Sequence, residues 1–234
     1  IYKKHVLHKI YHQIERGGLR EAVVACDNVV RQHPPYMYDA LRFKGELLNQ
    51  LGLTAEAEAV YRQVLEGRAV PWAKMGLATA LRDRKAFDEA RHLAEQVLQE
   101  APQFFSAYDF LASVHEAQGH FKETQAALQR AADASPHNTL RQRVVGDVAA
   151  RNGDLMAAEK AYGKVLERSR GSSLRTADDF ANLSRVLLDR GDTEASRKVV
   201  ADMRRELRGD KQAELAGLVA ESLCLHADGS HEKA

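Results

Sequence analysis

With 234 residues, 44% apolar and 29% charged, the chain is long and apolar enough to bury a large core. A formal net charge of +1 gives no electrostatic case for nucleic acid, and no apolar run approaches the ~18 residues that cross a membrane. Aromatics make up only 6%, and Ala, Leu, Arg, Glu and Gln are abundant, a balance that favours helices.

The opening stretch "IYKKHVLHKI" lacks the basic, apolar and small-residue order of a signal peptide, and an upstream domain is expected before it. His5, His8 and His12 share one helical face with Glu15, with Val6, Leu7, Ile10 and Ile14 opposite. Three imidazoles and a carboxylate suit a transition metal. A face turned to water, or to the upstream part, explains them better, so neither a metal nor a cofactor is expected.

Glycines then recur. Gly17, Gly52, Gly119, Gly153 and Gly191 are separated by 35, 67, 34 and 38 residues, close to one period except for the second interval, which is two. Five residues after the glycine stands a small residue: Ala22, Ala57, Thr124, Ala158 and Ser196. Seven before it stands another: Gly45, Ala112, Gly146 and Ser184. Nine after comes a packing residue: Cys26, Tyr61, Leu128, Tyr162 and Val200. Pro34, Pro102 and Pro136 close units where a helix cannot continue. A third unit carries Lys85 in place of the glycine but keeps Ala78, Phe87, Ala90 and Pro102. The units run over 4–35, 38–69, 71–102, 105–136, 139–171 and 177–208.

In the fourth unit "SVHEAQGHF" comes close to the zinc-protease motif H-E-x-x-H. His115 and His120 are five apart, however, about 140° around a helix, so they cannot share one ion from an unbroken helix. Gly119 reads instead as a turn. The connection 168–179 is the longest, and Thr176 with Asp179 reads as a capping box. A final helix over 211–227 places Leu215, Leu218, Val219 and Leu223 on one face, expected to cover the open end of the last unit. Residues 228–234 read as a flexible tail. Cys26 and Cys224 lie near opposite ends and fit a reducing compartment better than a disulfide.

A period of about 34 residues with these marks resembles the tetratricopeptide repeat family over residues 4–208. The resemblance implies an all-α fold, a right-handed α-α superhelix, with six helix–turn–helix repeats in one solenoid and a capping helix. It also implies a concave groove for a protein or peptide partner, lined three, six, ten and thirteen residues before the turn glycine. Those places hold Asp39, Arg42, Glu46 and Asn49, then Trp72, Met75, Thr79 and Arg82, then Ser106, Asp109, Ser113 and Glu116. Arg143 and Asp147 follow in the fifth unit, and Asp178 and Arg185 in the sixth. Trp72 has a rival role, packing on the preceding unit through "VPWAKM". The chaperone-binding subset of the family uses a Lys/Arg/Asn clamp, and Arg143, Asn182 and Arg185 do not reproduce it as a set.

A closer likeness lies in "KKHVLHKIYHQIERG", "LRFKGELLNQLG", "PWAKMGLATAL" and "SPHNTLRQRVVGDVAARNGDL". These resemble the C-terminal region of bacterial response regulators, where a receiver domain precedes the repeats. That implies a cytoplasmic, two-component signalling role with the phospho-acceptor domain upstream. The alternative is a scaffold for envelope, pilus or secretion-system assembly without a receiver. No Walker loop, G-x-S-x-G, C-x-x-C or dinucleotide glycine pattern occurs, and no enzymatic activity is expected.

Overall fold

A computed structural model describes residues 2–229, with side chains from Val6 onward; the His5 side chain and residues 230–234 of the expected tail lie outside it. The fold is all-α, built of helix–turn–helix repeats. Two compact units divide the chain, Ile1–Ala117 and Gln118–Ala234. The first holds α1 (Tyr2–Glu15), α2 (Leu19–Gln32), a 3-10 turn (Pro34–Tyr36), α3 (Met37–Gln50), α4 (Thr54–Gly67), α5 (Pro71–Asp83), α6 (Phe87–Glu100) and α7 (Phe105–Ala117). The second holds α8 (Phe121–Ala134), α9 (Thr139–Arg151), α10 (Leu155–Arg168), α11 (Ala177–Asp189), α12 (Thr193–Glu206) and α13 (Lys211–Ala227). Among the described residues no helix is long and apolar enough to cross a membrane.

The recurrent glycines make the turns. Gly52, Gly119, Gly153 and Gly191 have φ between +71° and +80°, the left-handed region that only glycine enters cheaply. Around Gly52, the Leu53 N–H donates to the Leu48 carbonyl at 2.9 Å, the long bond of a Schellman closure. Lys85 adopts φ +64° and Ala86 N–H donates to Leu81 at 2.8 Å, so the same turn forms without glycine.

Small residues let the paired helices approach. Ala22, Ala57, Ala90 and Ala158 are wholly buried. In the sixth repeat the two small positions meet directly, Ser184 Oγ and Ser196 Oγ lying 2.8 Å apart. Tyr61 fills the gap left by two glycines: a β-carbon on Gly45 would stand 2.5 Å from its Cζ, and one on Gly76 2.2 Å. The core of the first two repeats gathers Val6, Leu7, Ile10, Ala22, Cys26, Val29, Ala40 and Leu47. In the second unit Phe180, Leu183, Leu187, Val200 and Met203 belong to another cluster. The capping box is present, with Thr176 N–H donating to Asp179 Oδ2 at 3.0 Å.

One expectation is corrected. The final helix does span 211–227, but Leu215, Leu218 and Val219 do not cover the preceding repeat; they are exposed, and Leu223 is half-buried. The helix packs through the opposite stripe of Ala213, Gly217, Ala220 and Cys224. Small residues allow a closer approach to α11 and α12 than leucines would, and Gly217 already meets the Arg204 side chain.

Candidate interaction surface

In the first unit, first helices α3, α5 and α7 carry the expected surface residues at helical spacing. Arg42 and Glu46 stand one turn apart on α3 and are exposed; Arg42 Nε donates to Glu46 Oε1 at 2.9 Å. The Arg42 guanidinium also lies 5.9 Å from the Trp72 ring centre, within cation–π reach. Trp72, at the start of α5, is half-buried and meets Tyr61 edge-on at 6.4 Å. One edge of Trp72 thus packs on the preceding repeat, and the remainder stays open beside Arg42. Burial and the Glu46 charge hold the Tyr61 phenol well above its usual range.

Asn49 is half-buried, and its Nδ2 donates to the Gly76 carbonyl at 3.1 Å. Thr79 Oγ1 donates to Met75 O at 3.0 Å. Arg82 Nη1 donates to Ser113 Oγ at 3.3 Å, Ser113 Oγ to Phe110 O at 2.7 Å, and the guanidinium lies 5.4 Å from the Phe110 ring centre. Asp109 is exposed on α7. All twelve residues expected between Asp39 and Glu116 therefore lie in one unit, and Arg42, Glu46, Trp72, Arg82 and Ser113 contact one another by hydrogen bonds or ring contacts.

The four expected residues of the second unit, Arg143, Asp147, Asp178 and Arg185, behave differently. Arg143 binds Asp179 through two bonds, of 2.6 and 2.8 Å, and also donates to the Leu174 carbonyl. Burial alone would raise the Asp179 pKa, but the Arg143 guanidinium and the Thr176 N–H hold it below the usual carboxylate range. Asp147 accepts from Tyr162 Oη at 2.7 Å; burial, then this bond, pushes the Tyr162 phenol up. Arg185 is exposed and edges a groove of about 730 Å³ between α11 and α13. Asp178, Asn182 and Lys211 edge the same groove, over Ala181, Ala216, Val219 and Leu223.

The apolar floor supplied by α13 was missed in the sequence. Periodicity marked Val219 and Leu223 as one apolar face but did not say which way it points. Among the described residues no group of three His, Cys, Asp or Glu side chains could hold a metal ion. His8 and His12 stack with ring centres 6.1 Å apart on α1. The first unit offers an aromatic face beside guanidinium groups and carboxylates.

Comparison with known proteins finds tetratricopeptide repeats in the chain. One tetratricopeptide repeat model matches residues 9–71 and 111–173, and a second matches 72–100. No curated protein matches the sequence. Among solved structures, residues 41 to the end of MamA from Desulfovibrio magneticus RS-1 are 24% identical, with a TM-score of 0.56 over 73% of this chain and 96% of that one. A tetratricopeptide repeat protein from Parabacteroides merdae ATCC 43184 is 13% identical, with a TM-score of 0.56 over 98% of this chain and 92% of that one. YrrB, described as a TPR protein with an unusual peptide-binding site, is 20% identical, with a TM-score of 0.50 over 81% of this chain and 91% of that one. At these identities the likeness is one of fold, while the first repeat model alone covers more than half of the sequence: the chain belongs to the tetratricopeptide repeat family.

Proposed function

We propose that this protein is a non-catalytic scaffold that binds a protein or peptide along the first-helix surface of its repeats. The observation that carries this reading is the Arg42–Trp72 pair. A half-buried tryptophan with an exposed guanidinium 5.9 Å from its ring centre unites the two residue types that dominate interface energetics. The helix–helix core of the repeat needs neither at this place. Arg82, Asp109 and Ser113 extend the contact surface along the first unit, and Arg185 with Arg143 and Asp147 provides the surface of the second. Peptide binding by a repeat of this fold has a parallel in the description of YrrB.

The finer placement we propose is the partner-binding region of a cytoplasmic bacterial response regulator, covalently downstream of a receiver domain. It rests on the four quoted stretches that resemble such proteins.

Affinity capture from the native cell, with the wild-type chain, Arg42→Glu and Trp72→Ala as baits, tests the binding reading. Arg42 is exposed, so its charge reversal should leave the melt in place while removing the captured partner. Capture that survives both substitutions overturns the assignment of this surface. Phosphorylation-dependent capture by the longer protein would support the signalling placement. Recovery of envelope-assembly components, with no dependence on phosphorylation, would replace it.

A further inference from the structure

We propose that Ser173, in the connection between α10 and α11, is a phosphorylation site for an arginine-directed serine kinase, and that its phosphate competes with Asp179 for Arg143. Three observations converge. First, the segment is open. Residues 170–174 are all exposed, Leu174 by 58%, in the longest connection between helices among the described residues. A kinase must grip the chain on both sides of the reacting hydroxyl, which an exposed connection permits and a packed helix does not.

Second, the flanking groups have no other use. Arginine stands three and five residues before Ser173, at Arg170 and Arg168, and Leu174 follows it. No other serine in the chain has arginine three before it. Among the threonines Thr193 does, but its Arg190 is paired with Glu159. Arg168 and Arg170 are exposed and, among the described residues, neither side chain has an ion pair or hydrogen bond. Ser172 is not equivalent to its neighbour. Its Oγ accepts from the Leu174 N–H at 3.1 Å and its carbonyl from the Arg175 N–H at 3.2 Å, whereas no such bond engages Ser173 Oγ. Charge patterns of this kind are how kinases choose substrates, since guanidinium groups pair well with carboxylates.

Third, the phosphate has a cation beside it. Arg143 binds Asp179 twice and donates to the Leu174 carbonyl, in the residue immediately after Ser173. Arg175 is already committed to the Leu166 carbonyl and Glu206. A phosphoserine carries up to two negative charges and three strong acceptor oxygens, against the single charge of Asp179. It draws Arg143 and repels Asp178 and Asp179 at the start of α11. In the transfer, Ser173 Oγ attacks the γ-phosphorus of ATP and its proton passes to a base of the kinase. The new O–P bond forms as the bond to the bridging oxygen breaks, and ADP leaves. The modification does not depend on the groove reading; its effect reaches the groove because Arg143 belongs to it.

Fragmentation mass spectrometry of the chain isolated from growing and from stationary native cells tests the site. Phosphate is expected on Ser173, kept in Ser172→Ala and lost in Ser173→Ala. Arg170→Ala should cut its occupancy by at least about tenfold, the scale of one lost charge-assisted hydrogen bond, and leave the melt unchanged. The phosphorylated chain, separated from the unmodified one, should melt lower at neutral pH. In Asp179→Asn that difference should vanish. The proposal is overturned if Ser173 is unmodified in both cell states, if the phosphate lies elsewhere in the connection, or if occupancy ignores Arg170→Ala. A phosphorylated chain that melts like the unmodified one overturns the competition for Arg143. Hydroxylamine cleaves the acyl phosphate of a receiver aspartate and spares a serine ester, so failure here and failure of the signalling placement are told apart.

Discussion

Tyr61 lies over Gly76 so closely that a β-carbon on that glycine would stand 2.2 Å from the tyrosine Cζ. The ring is wholly buried and has Gly45 at a similar approach on its other neighbour, so it cannot swing away. Gly76→Ala should therefore cost about 1–3 kcal/mol, the usual range for overpacking. Gly163, inside α10, has open space around the same position. Gly163→Ala should stabilise by about 0.5–1 kcal/mol, since glycine is the poorer helix former. Denaturant midpoints of the two variants should move in opposite directions; movement the same way would contradict the packing described.

Lys85 holds φ +64° in a turn that glycine makes in the neighbouring repeats. An L-residue pays about 1 kcal/mol or more for that conformation. Lys85→Gly should remove the strain and raise the stability of the first unit by roughly 0.5–1 kcal/mol, after the extra flexibility of the unfolded chain is subtracted. A chemical-denaturation comparison would settle the sign.

These two cases show where the sequence was legible. The turn glycines, the small residues five after and seven before them, and the Thr176–Asp179 box each act through neighbours a few residues away or through a fixed period, so spacing alone reveals them. Lys85 was placed by its repeat although its residue type argues against the turn. The direction of α13 was not legible. Leu218 and Val219 carry more apolar surface than Ala213 or Gly217, but close approach to α11 and α12 favours the small stripe. The site was half legible. First-helix spacing brought Arg42, Trp72 and Arg82 to one surface, but the partners of Arg143 and Asp147 come from distant places in the chain, Asp179 and Tyr162, which no local pattern announces.

Cys26 and Cys224 are both free and buried. Burial, with Asp27 beside it, pushes the Cys26 thiol up to about 12. The thiolate is the reactive form, so an alkylating reagent at neutral pH should modify Cys26 only as fast as its unit opens. Adding reductant or chelator should leave the melt superimposed on the untreated one. Rapid modification of Cys26 in the native protein would show that the first core is less closed than described.

Ala158 is wholly buried where α10 meets its partner helix. Ala158→Leu should destabilise by about 1–3 kcal/mol through overpacking. His8, exposed on α1, should cost no more than about 0.5 kcal/mol on replacement by alanine. Equal midpoints for the two variants would refute the repeat register.

Asp179 is almost fully buried and ties the start of α11 to Arg143 on α9. Removing either partner leaves the other charge poorly compensated, which costs about 3 kcal/mol for a buried pair; Arg143, a quarter exposed, should sit at the low end. The pH dependence has a definite sign. A carboxylate whose folded pKa is depressed adds stability that is present above the unfolded value, near 3.9, and lost as pH falls through the folded value. Wild-type and Asp179→Asn chains should therefore differ most at neutral pH. Their melts should converge as pH drops below about 4. Curves that stay parallel down to acid conditions would mean that Asp179 titrates alike in the folded and unfolded chain, and that the two bonds to Arg143 do not hold its charge.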